Sequence, residues 1–128
     1  MKLLLDTNVV LWLMTDTARL RSQLPLLKDP ASELLVSAVV AWEIAIKYAL
    51  GRLPLPEPPA TFVPEMVRCT GATSVAITPA QTLGVASLAP LHGDPFDRLL
   101  VAQAMQLDAT LVTADAVLAG YPAETLLV

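Results

Sequence analysis

Lys2-Leu3-Leu4-Leu5-Asp6-Thr7-Asn8 (residues 2–8) decides the fold class. Three successive leucines stop at a carboxylate, which reads as a short buried strand that delivers Asp6 at its carboxyl end. Thr7-Asn8 then starts a helix carrying Val9, Val10, Trp12 and Leu13. A buried strand running straight into a helix is half of a βαβ unit, and the rest of the chain repeats the alternation.

Residues 17–27 read as a second helical stretch cut by Pro25, and Asp29-Pro30 as a turn. Leu34-Leu35-Val36 is the next strand. Ser37 caps a helix over 38–50, with Gly51 at its C-cap. Residues 52–59 hold four prolines and form a loop. A helix over 60–69 follows, with Pro64 expected to distort it. Residues 73–77 are a strand, and 79–87 a helix opened by Pro79 at its first position. Asp94-Pro95 opens a helix over 95–107. Residues 110–113 form a strand, 115–119 a short helix and 125–128 a last strand. The expectation is one α/β domain over 1–128, a short parallel sheet flanked by helices on both faces.

Composition agrees. At 55% hydrophobic and 16% charged, 128 residues suffice for one core and exclude disorder. A single cysteine, Cys69, excludes an internal disulfide and fits a reducing, cytoplasmic setting. Asp6 interrupts the first apolar run, so no signal peptide is expected. The longest charge-free stretch, 69–93, contains Gly71, Pro79, Gly84 and Pro90, so no membrane span is expected. The net charge of −4 argues against a polyanion partner at first sight. Five of the twelve acids, however, are Asp6, Glu43, Asp94, Asp97 and Asp115. The other seven face eight Lys and Arg, which leaves about +1 elsewhere.

Those acids converge. In a parallel sheet, functional groups gather at the carboxyl ends of the strands. Asp6 ends the first strand and Asp115 follows the strand over 110–113. Glu43 and Asp97 lie near the N-termini of helices that run back antiparallel to the strands, so they reach the same rim. Glu43 shares its stripe with Val39, Ile46 and Leu50, and Asp97 with Leu100, Val101 and Ala104. Both therefore face inward. Buried carboxylates in company repel and call for a cation, and an oxygen-rich set suits Mg²⁺ or Mn²⁺.

Each acid also has a plainer reading. Glu43 can pair with Lys47, Asp97 can suit the helix dipole, and Asp94 and Asp115 can be N-caps. Asp6 can be a turn residue. His92 stands without a second His or Cys, which argues against zinc. Arg98 can bind a phosphate or a carboxylate. Trp12 and Trp42 read as core or interface.

Leu-Leu-Leu-Asp-Thr-Asn (3–8), Ser-Ala-Val-Val-Ala-Trp-Glu-Ile-Ala-Ile-Lys (37–47), His-Gly-Asp-Pro-Phe-Asp-Arg-Leu-Leu-Val-Ala-Gln-Ala (92–104) and Leu-Val-Thr-Ala-Asp (111–115) together resemble the PIN-domain family, in the branch of the VapC toxins. The resemblance implies an Mg²⁺-dependent endoribonuclease, with Mn²⁺ as a substitute. Asp6, Glu43, Asp97 and Asp115 would form the acidic site, Asp6 and Asp97 being the main ligands. Thr7, Asn8 and Thr113 would orient ligands or water. It further implies an RNA substrate, a homodimer and a cognate VapB-like antitoxin. Gly93 and Ala114 stand where relatives often carry a basic residue, and Gln81 where this branch often has His. Groups that would grip RNA are thus fewer than usual.

Other classes remain at this point. A phosphatase with Asp6 as nucleophile normally needs a second Asp two residues on, where Asn8 stands. A phospho-acceptor module needs an acidic pair near the first strand and a later Lys, and neither is present. A catalytically silent PIN-like binding module is the fourth reading.

Overall fold

The computed structural model describes residues 1–128. Strands β1 (Lys2–Leu5), β2 (Glu33–Ser37), β3 (Thr73–Val75), β4 (Thr110–Thr113) and β5 (Thr125–Leu127) form one sheet in the order β3-β2-β1-β4-β5. Every pairing is parallel, with Leu4 opposite both Leu35 and Leu111. Helices α1 (Thr7–Thr15), α2 (Leu24–Lys28), α3 (Ala38–Ala49), α4 (Pro59–Thr70), α5 (Pro79–Gly84) and α6 (Pro95–Leu107) connect them, with 3₁₀ segments at Thr17–Gln23, Val85–Ser87 and Ala116–Gly120.

The strand order explains the leucines. From β1 the chain steps to β2 and β3 in one direction, then crosses to β4 and β5 on the other side. Right-handed crossovers then put the two sets of helices on opposite faces. The central strand is covered on both, and Leu3, Leu4 and Leu5 are fully buried. The direction reverses between β1 and β4, which opens a crevice at their carboxyl ends.

Several local expectations change. Pro25 does not cut a helix; it sits in the first turn of α2, where its missing N–H has no intrahelical partner to lose. Pro64 does not interrupt α4. Both Pro64 and Ala60, whose carbonyl loses its partner, face solvent. β3 ends at Val75, and the stretch 79–87 tightens from α to 3₁₀ after Gly84. α3 ends at Ala49, so Leu50 is exposed and drops out of the inward stripe. Gly51, just beyond, takes φ 71°, the left-handed conformation that glycine adopts at no steric cost. Gln81 closes a capping box with Thr78 and accepts from the fully buried Gln103 Nε2 at 3.2 Å, tying α5 to α6.

Candidate metal centre

Asp6 emerges from β1 as the N-cap of α1. Its Oδ1 accepts from Thr7 N at 2.7 Å and its Oδ2 from Thr113 Oγ1 at 2.7 Å. Thr113 ends β4, so one hydrogen bond ties the two switch-point strands together. Thr113 Oγ1 also accepts from Asp115 N at 3.1 Å and so positions two acids. Burial pushes the Asp6 pKa up, against the pull of those two hydrogen bonds; Glu43 and Asp115 push it further.

Glu43 is buried on α3, which starts where Ser37 Oγ accepts from Val39 N at 3.0 Å. Its Oε1 accepts from Thr7 Oγ1 at 2.5 Å. Its Oε2 accepts from Lys47 Nζ in a close ion pair. The plain pairing and the inward placement therefore hold together. The hydrogen bond to Glu43 raises the Lys47 pKa, and Asp94 and Asp97 add to it. Lys47 is the one basic residue lining the acidic cleft.

Asp94 caps α6, its Oδ1 accepting from Phe96 N at 2.8 Å and Asp97 N at 3.3 Å. Asp97 thus sits in the first turn, aimed at the β1–β4 crevice. Burial, then the charges of Asp6, Asp94 and Glu43, raise its pKa from 3.8 to about 7. Across the crevice, Asp115 Oδ1 accepts from Val117 N at 3.0 Å, the expected cap, while Oδ2 meets His92 Nε2 at 2.7 Å.

His92 is the member that the sequence did not place. Its Nε2 lies 3.4 Å from Asp97 Oδ2, and its Nδ1 accepts from Asp94 N at 2.9 Å. The ring therefore carries its proton on Nε2 and donates it to Asp115. Asp115 holds the His92 pKa above its usual 6.5. A second proton would nevertheless cost the bond from Asp94 N. The only available signal was the short His92-Gly93-Asp94 spacing, which puts ring and cap on one turn.

Arg98 takes neither of the partners that its sequence allowed. Its Nη1 donates to Ala89 O at 2.9 Å and Tyr121 Oη at 3.0 Å, and its Nη2 to Val85 O at 3.3 Å and Leu88 O at 3.4 Å. Tyr121 Oη also accepts from His92 N at 3.0 Å. Arg98 therefore fastens the loop that carries His92, and four of its five donors are spent there. Trp42 is about half exposed (52%), with Phe96 packed edge-on at 4.9 Å, and is an outer wall rather than core.

Asp6, Thr7, Asn8, Glu43, Lys47, Asp94, Asp97, Ala114 and Asp115 line one cleft of about 270 Å³. At its edge, donor atoms of Asp97 and Asp115 and of the neighbouring His92 come within 4.8 Å of one another. Asp6 and Glu43 share the cleft without completing a second such triplet. The donor chemistry fits a hard divalent cation. Desolvation and mutual repulsion make the ionised acids costly, and the oxygens of Asp6, Glu43, Asp97 and Asp115 each keep a lone pair beyond any hydrogen bond they accept. With both Asp6 oxygens engaged and no second Asp at Asn8, a covalent role for Asp6 is disfavoured. Cys69 lies in a separate cavity beside Leu34 and Gly71, so it offers no nucleophile here.

The PIN domain family profile matches residues 3–123. Ribonuclease VapC22 of Mycobacterium tuberculosis is 34% identical over 116 residues, which is 88% of this chain and 85% of that protein. Ribonuclease VapC16 of the same organism is 44% identical over 57 residues, 44% of this chain; that stretch spans only 40% of VapC16. Among solved structures, VapBC2 from Rickettsia felis, bound to a promoter DNA fragment, aligns with TM-score 0.73 at 17% identity over 99% of this chain and 98% of that one. VapBC from Salmonella typhimurium aligns with TM-score 0.66 at 14% identity, over 98% and 97%. With a parallel sheet, a carboxylate-lined switch point and a profile match across nearly its whole length, the chain belongs to the PIN-domain family.

Proposed function

We propose that this chain is a divalent-metal-dependent endoribonuclease, the toxin of a VapC-type pair, working in the cytoplasm as a homodimer and silenced by a VapB-like antitoxin. The observation that carries the reading is one cleft lined by five carboxylates, with no Ser, Cys or His in its lining and with Thr7 and Lys47 both tied to Glu43. The names of the matched ribonucleases and the VapBC neighbours support the RNA substrate and the antitoxin.

Asp6, Glu43, Asp97 and Asp115 would hold Mg²⁺, with Mn²⁺ as a substitute. When bound, the ion lowers the pKa of a water and offsets charge growing on the phosphate. The chain's own groups do the positioning. Thr113 fixes Asp6 and the Asp115 backbone, and Thr7 fixes Glu43. Asp94 sets the first turn of α6 that presents Asp97, and His92 holds Asp115. Asn8, which lines the cleft, would orient a ligand or water.

Purified protein should cut a structured RNA with Mg²⁺ or Mn²⁺ and stop with EDTA. Asp6→Asn and Asp97→Asn should each abolish cleavage while circular dichroism stays native. Normal cleavage by both variants would sink the nuclease reading. Binding without cleavage by the wild type would favour a silent binding module.

A further inference from the structure

Next to the acidic cleft lies a second groove of about 370 Å³, and Ala114 lines both. Trp12, Arg19 and Arg21 form its basic and aromatic side, and Val128 its far side. Other cations near the cleft are committed: Lys47 to Glu43, and Arg98 to three carbonyls and Tyr121. Arg19 and Arg21 are exposed. The Arg19 guanidinium lies 5.2 Å from the Trp12 ring centroid, over the ring, with Nε 3.2 Å from Asp16 Oδ2, so it is held in place with donors to spare. Arg21 has φ 47° and ψ −123°, a conformation suited to glycine and strained for arginine. No side-chain hydrogen bond or ion pair within the chain explains that guanidinium.

We infer that this groove is the RNA-holding subsite: a single-stranded stretch leaves the carboxylate cleft over Ala114 and is gripped by Arg19 and Arg21 through its phosphates. The inference rests on the nuclease reading and deepens it. Ala114, a small residue, lines both grooves and marks where they meet. The Arg19–Trp12 pair offers an unpaired base a cationic and aromatic surface, which a duplex with stacked bases cannot use. A polyanion fits this surface better than an acidic peptide does, because the groove continues directly into the phosphodiester site.

The test is binding of a short fluorescein-labelled single-stranded RNA, measured by anisotropy across a salt series with Ca²⁺ in place of Mg²⁺. Arg21→Gly removes the charge and relieves the backbone, so its melting temperature should hold or rise while RNA binding weakens. Arg19→Ala with Arg21→Gly should weaken binding by roughly tenfold or more. It should also flatten the salt slope by about 0.7 for each lost phosphate contact. Wild-type cleavage with unchanged RNA affinity and slope in the double variant would overturn the subsite and leave the nuclease reading standing. No binding and no cleavage by the wild type would overturn both. If the double variant instead lost only a co-purified protein partner, the groove would be a protein-docking surface and the inference wrong.

Discussion

Asp97→Asn should make the metal-free protein more stable at pH 8, although it destroys a proposed ligand. In the folded chain burial and three neighbouring acids raise the Asp97 pKa from 3.8 to about 7. At about 1.4 kcal/mol for each factor of ten in proton affinity, that rise corresponds to roughly 4 kcal/mol. The carboxylate keeps some contact with solvent, 15% of its side chain, and screening there reduces the figure to about 2 kcal/mol. The sign follows from proton binding. Between pH 3.8 and 7 the unfolded chain has lost the proton and the folded chain retains it, so wild-type stability falls as pH rises. Above pH 7 both forms are ionised and the deficit is constant. Asparagine removes it. For 128 residues, about 2 kcal/mol is roughly 7 °C in melting temperature. Differential scanning calorimetry in EDTA should show the variant melting higher at pH 8, with the gap closing below pH 4. Added Mn²⁺ should then raise the wild-type melting temperature and move the variant little. A variant that melted lower than wild type at pH 8 in EDTA would refute this account of the cleft.

Thr113→Val removes the donor to Asp6 Oδ2 and the acceptor for Asp115 N; it should cost about 1–3 kcal/mol in urea unfolding at neutral pH, with Thr113→Ser recovering most of it. Isothermal titration should show weaker Mn²⁺ binding by the valine variant. Arg98→Met should destabilise by roughly 2–3 kcal/mol, because it frees three carbonyls and Tyr121 Oη. A purely phosphate-binding Arg98 would leave unfolding unchanged and flatten only the salt dependence of RNA binding.

The convergence of Asp6, Glu43, Asp97 and Asp115 was legible because it follows from polarity alone. A parallel strand ends at one rim, and the helix returning to the next strand begins there. The Asp94 cap was legible for the same local reason. Groups outside that periodicity were not. His92 lies in a loop, where no repeat states which way a ring points. Arg98 follows Asp97 by one position, and only the folded loop at 85–89 shows carbonyls waiting for it. Pro25 and Pro64 misled because a proline's effect depends on its place in the helix and on which carbonyl it deprives. Leu50 left the stripe because α3 ended one residue early. The basic groove was invisible because its two arginines lie in a 3₁₀ segment whose kink at Arg21 no helical period describes.

The bond between Thr113 and Asp6 spans 107 positions. It has a consequence in time as well as in space. During synthesis Asp6 emerges first, yet the crevice it serves has only one wall until β4 slots in beside β1. At about 5–20 residues per second, roughly 5–22 s of translation separate Asp6 from Asp115. Chemistry that needs all the carboxylates of the cleft has to wait until those final strands have appeared.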